Sequence, residues 1–122
     1  MRKICVISGS RAEYGLLKSI IDEIILSNYL RLQLIVTGMH LSSKYGNTYK
    51  EIIKNGHKIN KKIPILSKLD TKYDICKNVS RGISAFADAY KKLKPDLILI
   101  VGDRYEIFAA ASAAMLTQLP IA

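Results

Sequence analysis

The sequence predicts an α/β fold, a Rossmann-like parallel sheet flanked by helices. Three observations carry that expectation. The runs Ile4-Cys5-Val6-Ile7-Ser8, Leu32 to Val36 and Leu97-Ile98-Leu99-Ile100-Val101 are short and almost wholly apolar, as strands covered on both faces are. Between them lie segments whose apolar residues recur at helical spacing. Each run is followed closely by a glycine (Gly9, Gly38, Gly102) where the chain can turn.

Taken in order, the first strand ends at Gly9. The helix after it uses Leu16, Leu17, Ile20, Ile21, Ile24 and Ile25, two adjacent apolar positions per turn, and breaks at Ser27-Asn28. The second strand closes at Thr37-Gly38. A weaker helix is expected over residues 43–55, burying Tyr45, Tyr49, Ile52 and Ile53, with Gly56 as its stop. From His57 to Leu66, Ile59, Ile63 and Ile65 alternate with polar residues or proline. That pattern suggests a short strand on the sheet edge, since Pro64 disfavours a central place. Between Thr71 and Leu93, the residues Ile75, Val79, Ile83, Phe86, Tyr90 and Leu93 step by three and four along a long amphipathic helix. Thr71-x-x-Asp74 heads it, where negative charge suits the dipole, and Gly82 permits close packing or a bend. Lys94-Pro95-Asp96 ends it. A strand at 97–101, a helix from about 104 to 118 and the first residues of another strand at Pro120-Ile121-Ala122 complete the chain. With 122 residues and no linker or repeat, residues 1–122 are read as one domain.

Composition narrows the functional classes. The 49% hydrophobic and 24% charged content is that of a globular chain, and no apolar run is long enough to span a bilayer. Met1-Arg2-Lys3 is basic but leads straight into a strand, unlike a secretory signal, so a cytoplasmic protein is expected. Cys5 and Cys76 have neither CxxC nor metal-ligand spacing and are read as buried free thiols. The net charge of +9 resides in residues 37–94, with 13 Lys+Arg against 4 Asp+Glu. Most of the excess is lysine on expected outer helix faces or turns (Lys44, Lys50, Lys54, Lys58, Lys61, Lys62, Lys68, Lys72). Without interleaved arginines or aromatics this argues against nucleic acid and for a solvated surface that steers an anionic substrate.

Chemistry concentrates in the loops after the strands. Gly9-Ser10-Arg11-Ala12-Glu13-Tyr14-Gly15 has bracketing glycines, a Ser10-x-x-Glu13 capping pattern and a cation, Arg11. Its amides could receive a phosphate with Arg11 as a clamp, or the loop could merely cap its helix; it is not the GxGxxG fingerprint. Gly102-Asp103-Arg104-Tyr105-Glu106 crowds three charges at a strand end close to the core. Asp103 either caps the last helix or is a carboxylate tuned for acid or base work, with Arg104 able to hold it ionised or bind substrate. His40 lies at the same edge and could transfer a proton or be a satisfied structural histidine. His57, in a lysine-rich turn, is expected to be bland. No His, Cys, Asp and Glu set has metal spacing.

Together, Gly9-Ser10-Arg11-Ala12-Glu13-Tyr14-Gly15-Leu16-Leu17, Val36-Thr37-Gly38-Met39-His40-Leu41, Tyr45-Gly46-Asn47-Thr48-Tyr49 and Gly102-Asp103-Arg104-Tyr105-Glu106 closely resemble the N-terminal domain of hydrolysing UDP-N-acetylglucosamine 2-epimerases. The non-hydrolysing branch typically has Gly-Thr-Arg-Pro-Glu and Gly-Asp-Thr; Ala12 and Arg104 stand here instead of the proline and the second threonine. The resemblance implies a truncated first domain of a glycosyltransferase-B-like two-domain fold, with the active site between domains. It also implies a further catalytic glutamate and the uridine-binding domain beyond Ala122, so the piece alone is expected to be inactive. The implied reaction removes the C2 proton and UDP through an oxocarbenium-like state, then adds water to give N-acetylmannosamine. The alternatives are the same chemistry on UDP-2,4-diacetamido-2,4,6-trideoxyhexose, as in legionaminic-acid synthesis, and a non-catalytic nucleotide-binding module. By resemblance, Gly9, Ser10, Arg11 and Arg104 bind the nucleotide sugar, Arg11 at a phosphate. Asp103, Glu13 and His40 are the catalytic set, Glu13 assisting or orienting Arg11. No cofactor, membrane or nucleic acid is implied; the expected partners are the nucleotide-sugar substrate and, at full length, further copies of the chain.

Overall fold

The computed structural model describes residues 1–65 and 71–122. Leu66, at the end of the expected edge strand, and Lys68 lie outside the described residues. The elements are β1 (Arg2–Ser8), α1 (Arg11–Leu26), β2 (Leu30–Thr37), α2 (Tyr49–Lys54), β3 (Lys61–Ile63), α3 (Lys72–Leu93), β4 (Leu97–Leu99) and α4 (Tyr105–Leu116), with 3-10 turns at Gly38–Leu41 and Ser43–Tyr45. The four strands form one sheet in the order β3-β2-β1-β4, every pair parallel. Ile121 adds a parallel bridge to Ile98 on the outer side of β4, where the expected further strand begins.

The apolar runs are strands because each must face two layers. Cys5 and Ile7 of β1 join Ile35, Ile98, Phe86 and Tyr90 under α3 and α4. Ile4 and Val6 point the other way, onto Tyr14, Leu17, Ile21 and Ile24 of α1 and Ile52 of α2. The period of two in β1 is therefore invisible as hydropathy, since both sets are buried. Thr71 and Asp74 form a reciprocal capping box at the head of α3. A side chain at Gly82 would collide with Ile65 and press on Ala109, so this glycine lets α3 lie close to α4 without bending the helix into two.

Four expectations are corrected. The helix foreseen over 43–55 shrinks to α2, because Gly46 (φ 82°) and Asn47 (φ 48°) turn the chain through left-handed conformations. Tyr45 and Ile53 are consequently exposed, leaving Ile52 buried. In α1 only one of each adjacent apolar pair faces the sheet, and Leu16, Ile20 and Ile25 are exposed. Cys5 is buried as expected, but Cys76 is on the exposed side of α3. Among the described residues no helix is long and apolar enough to cross a membrane.

Candidate active site

In the order β3-β2-β1-β4, the chain runs outward from β1 in both directions, so the topology reverses between β1 and β4. Parallel sheets bind ligands outside the C-terminal strand ends at such a point, because the two loops there diverge to opposite faces. The loops after β1, β2 and β4, with the helix starts they lead into, carry all the expected site residues.

The β1 loop leads into α1 with Ser10 as the cap, its hydroxyl accepting the Glu13 amide at 3.3 Å. Glu13 does not complete the capping box. Its carboxylate reaches one residue further back and accepts from the Gly9 amide at 2.8 Å. Gly102, at φ 109°, closes over the same carboxylate: a Cβ there would stand 2.5 Å from Glu13 Oε2. Gly38, at φ 59°, brings in the third loop, where a Cβ would meet the Gly9 carbonyl at 2.8 Å and Glu106 Cγ at 3.0 Å. The Met39 amide ties that loop down by donating to the Gly9 carbonyl at 2.9 Å.

Two buried carboxylates thus sit where the three loops meet. Burial pushes the Glu13 carboxyl up from its ordinary range; the Gly9 N–H opposes this, the charges of Glu106 and Asp103 add to it, and Arg104 opposes it. Glu106, fully buried in the first turn of α4, receives a fork from Arg104: Nε to Oε2 at 2.9 Å and Nη2 to Oε1 at 2.9 Å. This pair raises the guanidinium's hold on its proton. Sequence reasoning noted Glu106 only as a cap and as one of three crowded charges. Its place beside Ile107 and one turn from Ala109 and Ala110, all buried, was the available signal that it faces inward.

The other residues separate by exposure. Asp103 is exposed, and the cap position of α4 is Arg104 with no side-chain capping bond, so Asp103 does not cap the helix. Its carboxylate stays at the open sheet edge, near enough for its charge to be felt by Glu13. Arg11 is also exposed and meets Glu51 of α2 at 3.2 Å, a surface pair worth about 0–1 kcal/mol and readily exchanged for a ligand anion. His40 differs from both. It is fully buried, with Nε2 2.7 Å from Ser8 Oγ and Nδ1 2.9 Å from Thr48 Oγ1. Burial lowers its pKa from 6.5 to about 4. A neutral ring with both nitrogens engaged ties β1 to the segment before α2, and proton transfer to a ligand would require those bonds to break.

His57, expected to be bland, lies in the interior. Its Nδ1 is 2.6 Å from Tyr14 Oη and its Nε2 2.7 Å from Asp22, while Asn55 donates to Tyr14 Oη at 3.1 Å. The hydrogen bond from His57 is the main reason the Asp22 carboxyl is held below its ordinary value. The surrounding lysines hid this clamp between α1 and the turn after α2. No group of three or more metal-ligating side chains occurs among the described residues.

The His40 arrangement has a measurable consequence. The unfolded chain binds a proton there below about pH 6.5 and the folded one only near pH 4, so this group removes stability as pH falls across that window. In chemical denaturation of the complete protein at pH 7 and pH 4.5, His40→Gln should show a smaller acid-induced loss than the natural sequence. Equal losses would refute the buried neutral histidine.

The family model for UDP-N-acetylglucosamine 2-epimerase matches residues 23–122. The chain is 50% identical, over 98% of its length and 31% of the other's, to a Campylobacter jejuni protein named GDP/UDP-N,N'-diacetylbacillosamine 2-epimerase (hydrolyzing). It is 34% identical, over 99% of its length and 32% of the other's, to the Legionella pneumophila UDP-N,N'-diacetylbacillosamine 2-epimerase (hydrolyzing). Among solved structures, the Neisseria meningitidis UDP-GlcNAc 2-epimerase bound to UDP-GlcNAc superposes with a TM-score of 0.77 at 24% identity, covering 99% of this chain and 31% of that one. The shared architecture is the first part of a glycosyltransferase-B-type fold. The chain spans about a third of the length of the curated relatives it matches. It belongs to the UDP-N-acetylglucosamine 2-epimerase family.

Proposed function

We propose that the complete protein is a hydrolysing 2-epimerase that releases UDP and a free 2-acetamido sugar from a UDP-linked precursor. The observation that carries this reading is the pairing, at one sheet edge, of an exposed carboxylate with an exposed guanidinium at the start of a helix. Glycosyl–phosphate cleavage needs an acid or base beside the sugar and cationic or amide donors at the departing phosphate. In this reading Asp103 takes the first role, and Arg11 with the start of α1 takes the second. Glu13 sets the loop geometry through Gly9 and adds negative charge near the developing cation. Arg104 is committed to Glu106 through two of its nitrogens and offers its remaining edge to substrate. His40 is a positioning residue in this scheme.

For the sugar, the relative at 50% identity favours a 2,4-diacetamido-2,4,6-trideoxyhexose. UDP-N-acetylglucosamine, giving N-acetylmannosamine, is the second reading, favoured by the 33% identical Neisseria meningitidis relative named for it. Incubating the complete protein with UDP-N-acetylglucosamine and, separately, UDP-2,4-diacetamido-2,4,6-trideoxyglucose, then identifying the free sugar, decides between them. The expected product is the 2-epimerised diacetamido sugar with UDP. Release of N-acetylmannosamine alone selects the second reading, and release of neither sugar overturns the activity.

A further inference from the structure

We propose that Glu106 is a positioning residue of the site. It acts through Arg104, holding that guanidinium as a fixed cation whose unengaged edge meets the departing diphosphate beside Arg11, and this role rests on the activity proposed above.

The Arg104–Glu106 fork does little for the fold. Its partners are two residues apart at the start of α4, so it ties no distant elements together. Nor does α4 need a carboxylate there. Its other buried positions are Ile107, Ala109, Ala110, Ala113 and Ala114, and an apolar side chain would fill the place of Glu106 without the cost of desolvating a charge. Buried ion pairs often do no better than such packing. What the fork does fix is the direction of the arginine.

The fork also leaves part of the guanidinium open. Nε and Nη2 of Arg104 donate to Glu106, and Nη1 makes no hydrogen bond among the described residues. The Arg104 side chain makes no capping bond to α4. It is 34% exposed while Glu106 is fully buried, so one edge faces the carboxylate and water reaches the rest.

Glu106 is itself gripped by the other two loops. A Cβ at Gly38 would stand 3.0 Å from its Cγ, and one at Gly9 would stand 3.8 Å from its Cβ. The carboxylate therefore relays the geometry of the β1 and β2 loops to a cation on the β4 loop. A free arginine loses many rotamers on binding, whereas one seated in a planar fork is already oriented. A charge fixed in advance needs no reorganisation as negative charge develops on the leaving phosphate.

The test measures UDP binding to the complete protein by calorimetry, with a thermal melt of each variant alongside. Glu106→Gln keeps the shape but loses the ionic fork, and should weaken UDP about fivefold, the cost of ordering one long side chain on binding. Removing a negative charge beside the site would by itself tighten an anion, so weaker binding reports lost orientation. Arg104→Lys keeps the charge on a flexible stem without the planar fork, and should weaken UDP at least as much. In the Arg104→Ala background, Glu106→Gln should leave UDP affinity where Arg104→Ala alone puts it, because Glu106 then has nothing to position. Should Glu106→Gln fail to fold, Arg104→Lys carries the test. Unchanged or tighter UDP binding in Glu106→Gln, natural affinity in Arg104→Lys, or the same Glu106→Gln loss with and without Arg104 each overturns the positioning role and leaves the proposed activity standing. Failure of the natural protein to bind UDP overturns both.

Discussion

Asp103→Asn should lower sugar release by the complete protein about 10²- to 10⁴-fold, the range by which a positioned acid or base accelerates a reaction. UDP affinity and the melting temperature should stay within error of the natural sequence. The split follows from geometry. Asp103 is exposed and caps no helix, so the amide costs the fold nothing. The leaving diphosphate is assigned to Arg11 and the β1 loop, which the substitution does not touch. Turnover and UDP binding falling together would mean that Asp103 organises the loop rather than serving the sugar, and unchanged turnover would remove it from the chemistry.

Arg104→Ala should destabilise the protein by about 3 kcal/mol, the lower end of the cost of stranding one partner of a buried ion pair. The lower end applies because the Arg104 side chain is 34% exposed, so water can reach one side of the pair. Glu106, by contrast, is fully buried and loses the partner that satisfies both its oxygens. Glu106→Gln should cost much less, since the amide retains the shape and leaves a cation that water can solvate. In the double variant Arg104→Ala with Glu106→Gln, most of the Arg104→Ala loss should disappear, and chemical denaturation of all four proteins closes the cycle. Additive losses would show that the fork contributes nothing as a pair.

Much of this architecture was legible in the residues. Strands covered on both sides advertise themselves as unbroken apolar runs, and the glycines after β1, β2 and β4 marked the turns where the site gathers. The capping pattern at Ser10 and the acidic head Thr71-x-x-Asp74 placed two helix starts correctly. What escaped notice depended on side-chain direction or on a turn signal outweighed by helical spacing. Gly46-Asn47 is a pair suited to left-handed conformations, but the helical spacing of Tyr45, Tyr49, Ile52 and Ile53 outweighed it, so the stretch over 43–55 looked more helical than it is. Adjacent apolar pairs in α1 cannot say which member faces the sheet. Glu13 could satisfy either Ser10 or Gly9 from the same spacing, and in the fold it takes the Gly9 amide with Gly102 packed against its other oxygen. His57 and Glu106 are polar groups folded inward by neighbours distant in sequence, Asp22 and Tyr14 for one and the β1 and β2 loops for the other.

Gly102 carries a consequence for how this chain can vary over time. It is open to water, and surface positions ordinarily drift freely among residue types. Here every alternative that the genetic code supplies would meet an unfavourable φ and the Glu13 carboxylate at once. Exposure and mutational freedom are therefore uncoupled at this position. Replacing Glu13 would clear the collision but leave the backbone penalty, so the fold holds this open position to glycine on two separate counts.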